Sequence, residues 1–381
     1  MINRLVSTLA TFLVLTTFSS QAARADKDLL EETVGFMAQI IYLQAGTPAF
    51  IIGAIKDGET FVAGYGEFAQ GSGAAPDGDT PMRVGSITKV FTGQVLAAMV
   101  ADGSVSFTDP ASMYLDWDIT WPQIDGREIR LIDLATHSSG LPREIVYENG
   151  PPEDPYLYKT LQAYQDNLDA DPLMFKPGSG VSYSNFGFDL LAHVLAGAAG
   201  RPYEELLNQY VLEPAGLTGT AFELMPDQQA IAMQGHAPGG APMPLVPTGD
   251  VIVGSSGLHT TTNDMLKWFA WHMDHNDPTG DEVRLLDHTS YVTRDGMDVV
   301  LGMDASGHMD ALALGWVVME PNEGRPLILQ KSGGRQGMLV YGAFAPSQNI
   351  GVFAAINAFD FNATTRVNAA VNALIGQLSE Q

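Results

Sequence analysis

The sequence predicts a mixed α/β (α+β) protein, in which one antiparallel sheet flanked by helices is built from both ends of the chain. Short apolar runs separated by turn residues occur at 49–65 and again at 314–356, and such runs are typical of antiparallel strands. From about Asp109 the intervening chain changes to helical patterns and long loops. We therefore predict a mostly helical lobe beside the sheet, with a ligand-binding cleft between the two.

The division of the chain follows from this pattern. Residues 26–105 and 301–381 are expected to form one discontinuous sheet domain, and residues 106–300 a mostly helical domain. Residues 1–25 are read as a signal peptide, with Arg4 before a short apolar stretch and Ala23-Arg24-Ala25 as the cleavage site. An uncleaved anchor is the alternative. The sequence thus predicts export to the periplasm and no stable membrane insertion after cleavage.

Composition excludes several classes of site. The chain has no cysteine, so disulfides, thiolate metal sites and a cysteine nucleophile are absent. Its 381 residues carry a formal net charge of −25, and such a surface repels phosphate backbones and anionic lipid. We therefore expect no nucleic-acid partner, and we read the acidity as a contribution to solubility.

The remaining elements follow in chain order. The patterns predict helices at 27–42, 86–99, 188–196, 203–212, 264–272 and 367–378, and strands at 49–55, 60–65, 314–319, 327–330, 338–344 and 350–356. The first two strands are joined at Asp57-Gly58, a hairpin turn. The last helix could anchor to a membrane surface, but it carries one arginine and no lysine, which favours packing against the sheet.

A Ser-x-x-Lys pair, Ser86 and Lys89, opens one predicted helix. A serine hydroxyl is a poor nucleophile until a base takes its proton, and residues three apart share a helix face. The helix N-terminus also favours negative charge that develops nearby. On its own the pair is better explained as a helix-capping serine followed by a surface lysine.

Two further stretches carry groups suited to the same chemistry. Tyr183 could relay a proton if a neighbouring cation lowered its pKa, and Asn185 could orient a substrate amide. Lys331 and Ser332 would add a charge and a hydroxyl at a strand end. The following Gly333 and Gly334 would let a substrate backbone lie close. Read singly, these are also compatible with a capping loop and a turn.

Two other groups of residues in the sequence suggest competing sites. His137 beside serines suggests a Ser–His–Asp triad with Asp133, but the chain has no Gly-x-Ser-x-Gly elbow, so a structural loop at the border of the site is preferred. His272, Asp274 and His275 could ligate a metal, yet a solvated helix end explains them better. We expect no metal and no cofactor.

Taken together, Ser86-x-x-Lys89, Tyr183-x-Asn185 and Lys331-Ser332-Gly333 resemble the three ordered motifs of the serine β-lactamase and penicillin-binding protein superfamily, in its class C-like branch. The resemblance extends to the loop 137–142. Further matches, including Gln330-Lys331-Ser332-Gly333-Gly334, are similar to the AmpH-type D-alanyl-D-alanine carboxypeptidase/endopeptidases. The resemblance implies a β-lactamase/transpeptidase-like fold and the activity of a serine hydrolase.

The resemblance also implies roles. Ser86 would be acylated, Lys89 and Tyr183 would transfer protons, Asn185 would hold the substrate amide, and Lys331 would supply charge. The N–H groups of Ser86 and Gly334 would form the oxyanion hole, beside Ser332 and Gly333. Peptidoglycan stem peptides would be substrates and β-lactams covalent ligands. The alternatives are a class C-type β-lactamase and an esterase or D-amino-acid amidase of the same fold.

Overall fold

Eight strands form one antiparallel sheet that draws on both ends of the chain. The computed structural model describes residues 27–247, 249 and 251–380, so the predicted signal peptide lies outside it. The strands of this sheet are β1 Ala49–Lys56, β2 Glu59–Gly66, β8 Val292–Thr293, β10 Ala311–Leu312, β11 Val317–Met319, β12 Ile328–Arg335, β13 Met338–Ala345 and β14 Ile350–Ile356. Their order is β2-β1-β14-β13-β12-β11-β10-β8.

The two chain ends meet where β1 pairs with β14, with Gly53 opposite Phe353. The predicted sheet from both ends of the chain is therefore confirmed. Smaller strands form three two-stranded pairs: β3 Met82–Arg83 with β7 His259–Thr260, β4 Gln123–Ile124 with β5 Arg127–Glu128, and β6 Val181–Ser182 with β9 Val300–Leu301.

Helices cover the sheet and build the lobe beside it. They are α1 27–45, α2 Thr88–Ala101, α3 Leu131–Ala135, α4 Leu161–Asp169, α5 Asn185–Ala199, α6 Tyr203–Leu207, α7 Glu213–Ala215, α8 Pro226–Ala230, α9 Thr262–Met273, α10 Asp281–His288 and α11 Phe361–Ser379. No helix among the described residues is long and apolar enough to cross a membrane.

Successive residues of the sheet strands pack alternately in two separate apolar cores, because side chains alternate between the two faces of a strand. Phe50 and Ile52 of β1 pack in a cluster with Leu30 of α1 and Val371 of α11. Ile51, on the opposite face, packs in a second cluster that includes residues of α2 and α9. The sheet is thus covered on both faces, and α11 packs against it as predicted.

Three elements differ from the sequence-based expectation. The predicted 203–212 helix changes at Asn208 into a π-helical turn, Asn208–Leu212. The helix after Ser86 is buried on every side from Thr88 to Met99, rather than along one apolar stripe. Strand β12 extends to Arg335, so Lys331 to Gly334 lie within a strand and not at its end. The last two differences both bear on the site.

Candidate active site

Ser86 occupies a one-turn 3₁₀ segment, Gly85–Ile87, immediately before α2. Gly85 has a φ of 49°, which a residue with a side chain adopts only with strain. A Cβ at that position would also lie 2.7 Å from the backbone N and O of Gly334. The glycine therefore allows the turn that carries Ser86 to pack directly against β12. Ser86 is partly exposed there, at the opening of the helix as predicted.

Lys89 is fully buried beneath Ser86 and is held by three acceptors. Its Nζ lies 3.2 Å from Ser86 Oγ, 2.6 Å from Asn185 Oδ1 and 2.8 Å from the carbonyl oxygen of Ser255. Burial lowers the pKa of Lys89 to about 7, although the charges of Asp189 and Glu144 oppose this shift. A substantial fraction of Lys89 is therefore neutral near pH 7, and a neutral amine can accept the proton of Ser86.

The ring of Tyr183 lies among cations. Lys89 Nζ is 5.0 Å and Lys331 Nζ 4.7 Å from the ring centroid, and the guanidinium carbon of Arg143 is 4.7 Å from it. Burial and repulsion from Lys89 lower the pKa of Lys331 to about 8. The structure thus brings the Ser86–Lys89 pair together with Tyr183 and Lys331, which lie far from it in the sequence.

Asn185 is the first residue of α5, and the side chain of the preceding Ser184 caps this helix by accepting the N–H of Gly187 at 2.9 Å. The Asn185 amide is held at both ends, since its oxygen accepts from Lys89 and its Nδ2 donates to Glu144. Glu144 is paired in turn with Lys159 at 3.0 Å. This arrangement fixes the orientation of the amide that the sequence predicts to hold substrate.

Asp189 binds the backbone of Ser255, the residue whose carbonyl oxygen holds Lys89. The sequence motifs did not single out Asp189. It is completely buried on α5, four residues after Asn185. It accepts from the backbone N–H of Ser255 at 2.9 Å and from Tyr164 at 2.6 Å. Because the carbonyl of Ser255 holds Lys89, Asp189 positions the base indirectly. The sequence did contain a signal for Asp189, namely an acidic residue among the apolar residues of a predicted helix. A buried acid requires hydrogen-bond partners.

The glycines of β12 serve the protein's own packing. A Cβ on Gly333 would lie 1.9 Å from the carbonyl oxygen of Val84, so the strand meets the Ser86 turn backbone to backbone. This replaces our interpretation that Gly333 makes room for substrate. Gly334 is exposed in the cleft, and the hydroxyl of Ser332 accepts a hydrogen bond from Ser306 at 2.8 Å.

His137 borders the site as a structural residue. Its ring stacks on Tyr183 with centroids 4.6 Å apart, and its Nδ1 accepts the N–H of Ser184 at 3.0 Å. Burial and the neighbouring lysines hold the pKa of His137 well below its usual range, so the ring is neutral. Asp133 is paired with Arg127 at 2.8 Å and makes no contact with His137 that would form a triad.

The histidines near the end of α9 do not come together as the rejected metal site would require. Our interpretation of a solvated helix end fits Asp274 and His275, which are exposed, but it is wrong for His272, which is buried. His272 instead lies 2.9 Å from His288, and Asp287 beside them accepts from the indole of Trp316 at 2.8 Å. Burial raises the pKa of Asp287 and lowers the pKa values of His272 and His288. We interpret this cluster as a neutral hydrogen-bonded group.

Two cavities meet at Ser86. One, of about 360 Å³, is lined by Asn185 and by residues of the 144–156 loop, and the other, of about 490 Å³, by Tyr183 and Ser332. Ser86, Arg143 and Gly334 line both. A nucleophile with a neutral base at its hydroxyl and a cavity on each side can accept an acyl group from one side and release a leaving group to the other.

Comparison with known proteins agrees with this geometry. The Beta-lactamase family matches residues 23–377, nearly the whole chain. The chain belongs to this family. The resemblance stated from the three motifs is thereby confirmed, as are the fold class and the assignment as a serine hydrolase of the β-lactamase/DD-peptidase type.

Individual relatives agree along most of their length. The D-alanyl-D-alanine-carboxypeptidase/endopeptidase AmpH of Escherichia coli is 31% identical over 371 residues, covering 96% of this chain and 94% of the relative. A β-lactamase/D-alanine carboxypeptidase from Yersinia pestis superposes with a TM-score of 0.82 at 31% identity, covering 92% and 98% of the two chains. A class C β-lactamase from Rhodobacter sphaeroides, 22% identical, shares the fold with a TM-score of 0.73 over 91% and 99%.

Proposed function

We propose that the protein is a serine D-alanyl-D-alanine carboxypeptidase/endopeptidase that cleaves peptidoglycan stem peptides through an acyl-enzyme. The observation that carries the proposal is the buried Lys89 amine, 3.2 Å from Ser86 Oγ and with its pKa lowered to about 7. A base of that pKa at a serine hydroxyl suits general-base catalysis near neutral pH. The AmpH relative named above supports the choice of a peptidase.

In acylation, Lys89 takes the proton of Ser86 as Oγ attacks the penultimate D-alanine carbonyl. The N–H groups of Ser86 and Gly334 stabilise the oxyanion, and one such donor typically contributes about 3 kcal/mol. Tyr183 delivers a proton to the departing amine as the C–N bond breaks, which leaves an ester on Ser86.

Deacylation repeats the proton transfers with water as the nucleophile. Asn185 holds the amide of the acyl group, and Lys331 with Ser332 binds the carboxylate of the leaving residue on the Tyr183 side. A penicillin would acylate Ser86 in the same way, because its strained amide occupies the position of the scissile bond. None of these steps uses a metal or a cofactor. We also propose that the protein is exported and acts in the periplasm.

The first test is intact mass spectrometry with benzylpenicillin over time, paired with release of D-alanine from a synthetic stem pentapeptide. We expect an adduct that persists for minutes and D-alanine release in the unchanged protein. Neither should occur in Ser86→Ala, while the variant Ser104→Ala, which changes an exposed serine outside both cavities, should behave normally.

Other results would redirect the assignment. An adduct that disappears while penicillin is hydrolysed, without D-alanine release, would make the protein a class C-type β-lactamase. Hydrolysis of simple esters or D-amino-acid amides without penicillin acylation would favour the esterase or amidase alternative. A persistent adduct in Ser86→Ala would contradict Ser86 as the nucleophile.

A further inference from the structure

The cavity on the Asn185 side of Ser86 is positively charged in a chain of strongly negative net charge. Three cations, Arg143, Lys159 and Arg335, line it, with Glu144 as an acid. The chain as a whole carries 44 acidic residues against 19 basic ones. Concentrating cations in one concave site focuses a positive potential there and favours an anionic ligand. A cation that is already paired within the protein is less able to bind such a ligand than one with free hydrogen-bond donors.

Among the buried cations that line this cavity, Arg335 is the one whose hydrogen-bonding capacity is left incomplete by the described residues. Its side chain is 8% exposed, and Nη1 donates to the hydroxyl of Ser256 at 2.7 Å. Nε and Nη2 have no hydrogen-bond partner among the described residues. Its guanidinium group instead lies 4.4 Å from the ring centroid of Tyr156.

Other buried arginines of the chain are better satisfied. Arg83 donates to the carbonyl oxygens of Gly257 and Val246 and to the side chain of Gln336. Arg284 is paired with Asp281 at 2.8 Å. A buried donor without a partner costs about 1–3 kcal/mol, and more when it is charged. A ligand that satisfies Arg335 would offset this cost.

The two unpartnered atoms have the geometry that a carboxylate requires. Nε–H and the adjacent Nη2–H point in the same direction from one edge of a guanidinium and bind both oxygens of a carboxylate at once. Tyr156 stacks on the face of the group, and stacking leaves the edge chemically free. Tyr156 belongs to the 144–156 loop, which has no helix or strand and lines the same cavity as Arg335.

The position of Arg335 on β12 specifies which part of a substrate it meets. Lys331 and Arg335 are four residues apart, so they share one face of the strand at a separation of roughly 13 Å. The Ser86 turn packs against β12 between them, at Gly333 and Gly334. Arg335 lines the cavity that contains Asn185, whereas Tyr183 lines the other. Arg335 therefore lies on the acyl side of the nucleophile.

We propose that Arg335 determines specificity by binding a free carboxylate in the acyl part of the substrate, the part that stays attached to Ser86. This inference rests on the proposed function. The preferred substrate is then a peptide with two carboxylates, one on the leaving residue near Lys331 and one on a side chain that precedes the scissile D-Ala-D-Ala bond. Neutral acyl groups are accepted less well.

The test uses a matched pair of peptides, acetyl-L-Glu-D-Ala-D-Ala and acetyl-L-Gln-D-Ala-D-Ala, which differ only in the charge of one side chain. D-Alanine release gives kcat/KM for each with the unchanged protein, Arg335→Gln and Arg335→Lys. We expect the unchanged protein to prefer the Glu peptide by about tenfold or more, as for a charge-assisted hydrogen-bonded pair. Arg335→Gln should abolish the preference, and Arg335→Lys should retain part of it.

Two controls separate this inference from the proposed function. The side chain of benzylpenicillin carries no carboxylate, and its one carboxylate, on the thiazolidine ring, takes the place of the leaving residue near Lys331. Benzylpenicillin should therefore still acylate Ser86 in Arg335→Gln, which also shows that the variant is folded. Equal kcat/KM for the two peptides in the unchanged protein, with penicillin acylation intact, would overturn the role of Arg335 alone. No reaction of Ser86 with either peptide or penicillin would overturn both proposals.

Discussion

Among single residues, Lys89 has a lowered pKa that predicts how the rate of acylation depends on pH. Burial lowers this pKa to about 7, and only the neutral amine can accept the Ser86 proton. The second-order rate constant for acylation by benzylpenicillin should therefore rise about tenfold per pH unit below 7 and level off above it. Stopped-flow acylation between pH 5 and 8 measures this. A rate independent of pH across that range would contradict Lys89 as the base.

A neighbouring acid gives a second test of the same assignment. The charges of Asp189 and Glu144 raise the pKa of Lys89 against the effect of burial. Glu144→Gln removes one of these charges but keeps an oxygen that can accept from Asn185, so it should move the rising limb of the acylation profile to lower pH. Asp125→Asn, which changes an exposed acid paired with Lys176, is the control and should leave the limb in place. A shift to higher pH would be inconsistent with this account.

The residues that sequence reasoning found and missed differ in a physical way. Ser86, Lys89 and Tyr183 stood out because their motifs have fixed local spacing and chemistry that needs those side chains. No sequence motif with a fixed spacing marks Asp189, Arg143 or Arg335. Their roles arise from contacts between distant segments, such as the hydrogen bond from Ser255 N–H to Asp189. Their roles became visible only when the fold brought these segments together.

At the scale of elements, the contact between β12 and the Ser86 turn is the most sensitive part of the site. Gly333→Ala would place a Cβ 1.9 Å from the carbonyl oxygen of Val84, and both are backbone positions that cannot move independently. We expect the free energy of unfolding to fall by about 2–4 kcal/mol and penicillin acylation to be largely lost. Urea denaturation and intact mass spectrometry measure the two effects.

The adjacent glycine supplies the control. At Gly334 the nearest atom to a new Cβ is Cδ2 of Leu339, at 2.8 Å, on a flexible side chain that can rotate away. Gly334→Ala should therefore cost much less stability than Gly333→Ala. Equal losses in the two variants would mean that strand conformation, rather than contact with Val84, sets the requirement for glycine.

The sequence predicted where most helices and strands lie, but it did not predict the full length of β12 or its contact with the Ser86 turn. Short apolar runs bounded by turn residues predicted the strands, because the sheet is covered on both faces and residues of each face pack in a core. The end of β12 was placed too early, because Ser332, Gly333 and Gly334 read as a turn when considered alone. Pairing with β13, where Gly334 lies opposite Leu339, continues the strand through them. Tertiary hydrogen bonding thus overrides a local preference for a turn.

At the scale of the whole molecule, the sheet explains why the site needs both halves of the sequence. Ser86 follows strands from the N-terminal part, Lys331 lies on a strand from the C-terminal part, and Tyr183 comes from the segment between them. The antiparallel pairing of β1 with β14 joins these parts. The sequence predicted this closure from strand patterns at both ends. The boundaries of the two domains stay a prediction, and β8, at Val292–Thr293, already belongs to the main sheet.

Stability of the whole protein should fall in acid, partly through the buried histidine His259 of β7. His259, 3% exposed on β7, donates its Nδ1–H to the carbonyl oxygen of Phe222, and its Nε2 has no partner among the described residues. Burial and the charge of Arg83 lower the pKa of His259 to about 3. The unfolded chain therefore binds a proton below its ordinary pKa of about 6.5, while the folded protein does not until about pH 3.

His259→Gln should make the free energy of unfolding less dependent on pH in this window. Because the unfolded state takes up the extra proton, His259 destabilises the fold by up to about 1.4 kcal/mol for each pH unit below 6.5, and glutamine removes this contribution. Urea denaturation at pH 6 and pH 4 gives the slope for both proteins, and comparing slopes cancels any uniform loss of stability. Parallel slopes in the two proteins would show that His259 is protonated in the folded state as readily as in the unfolded chain.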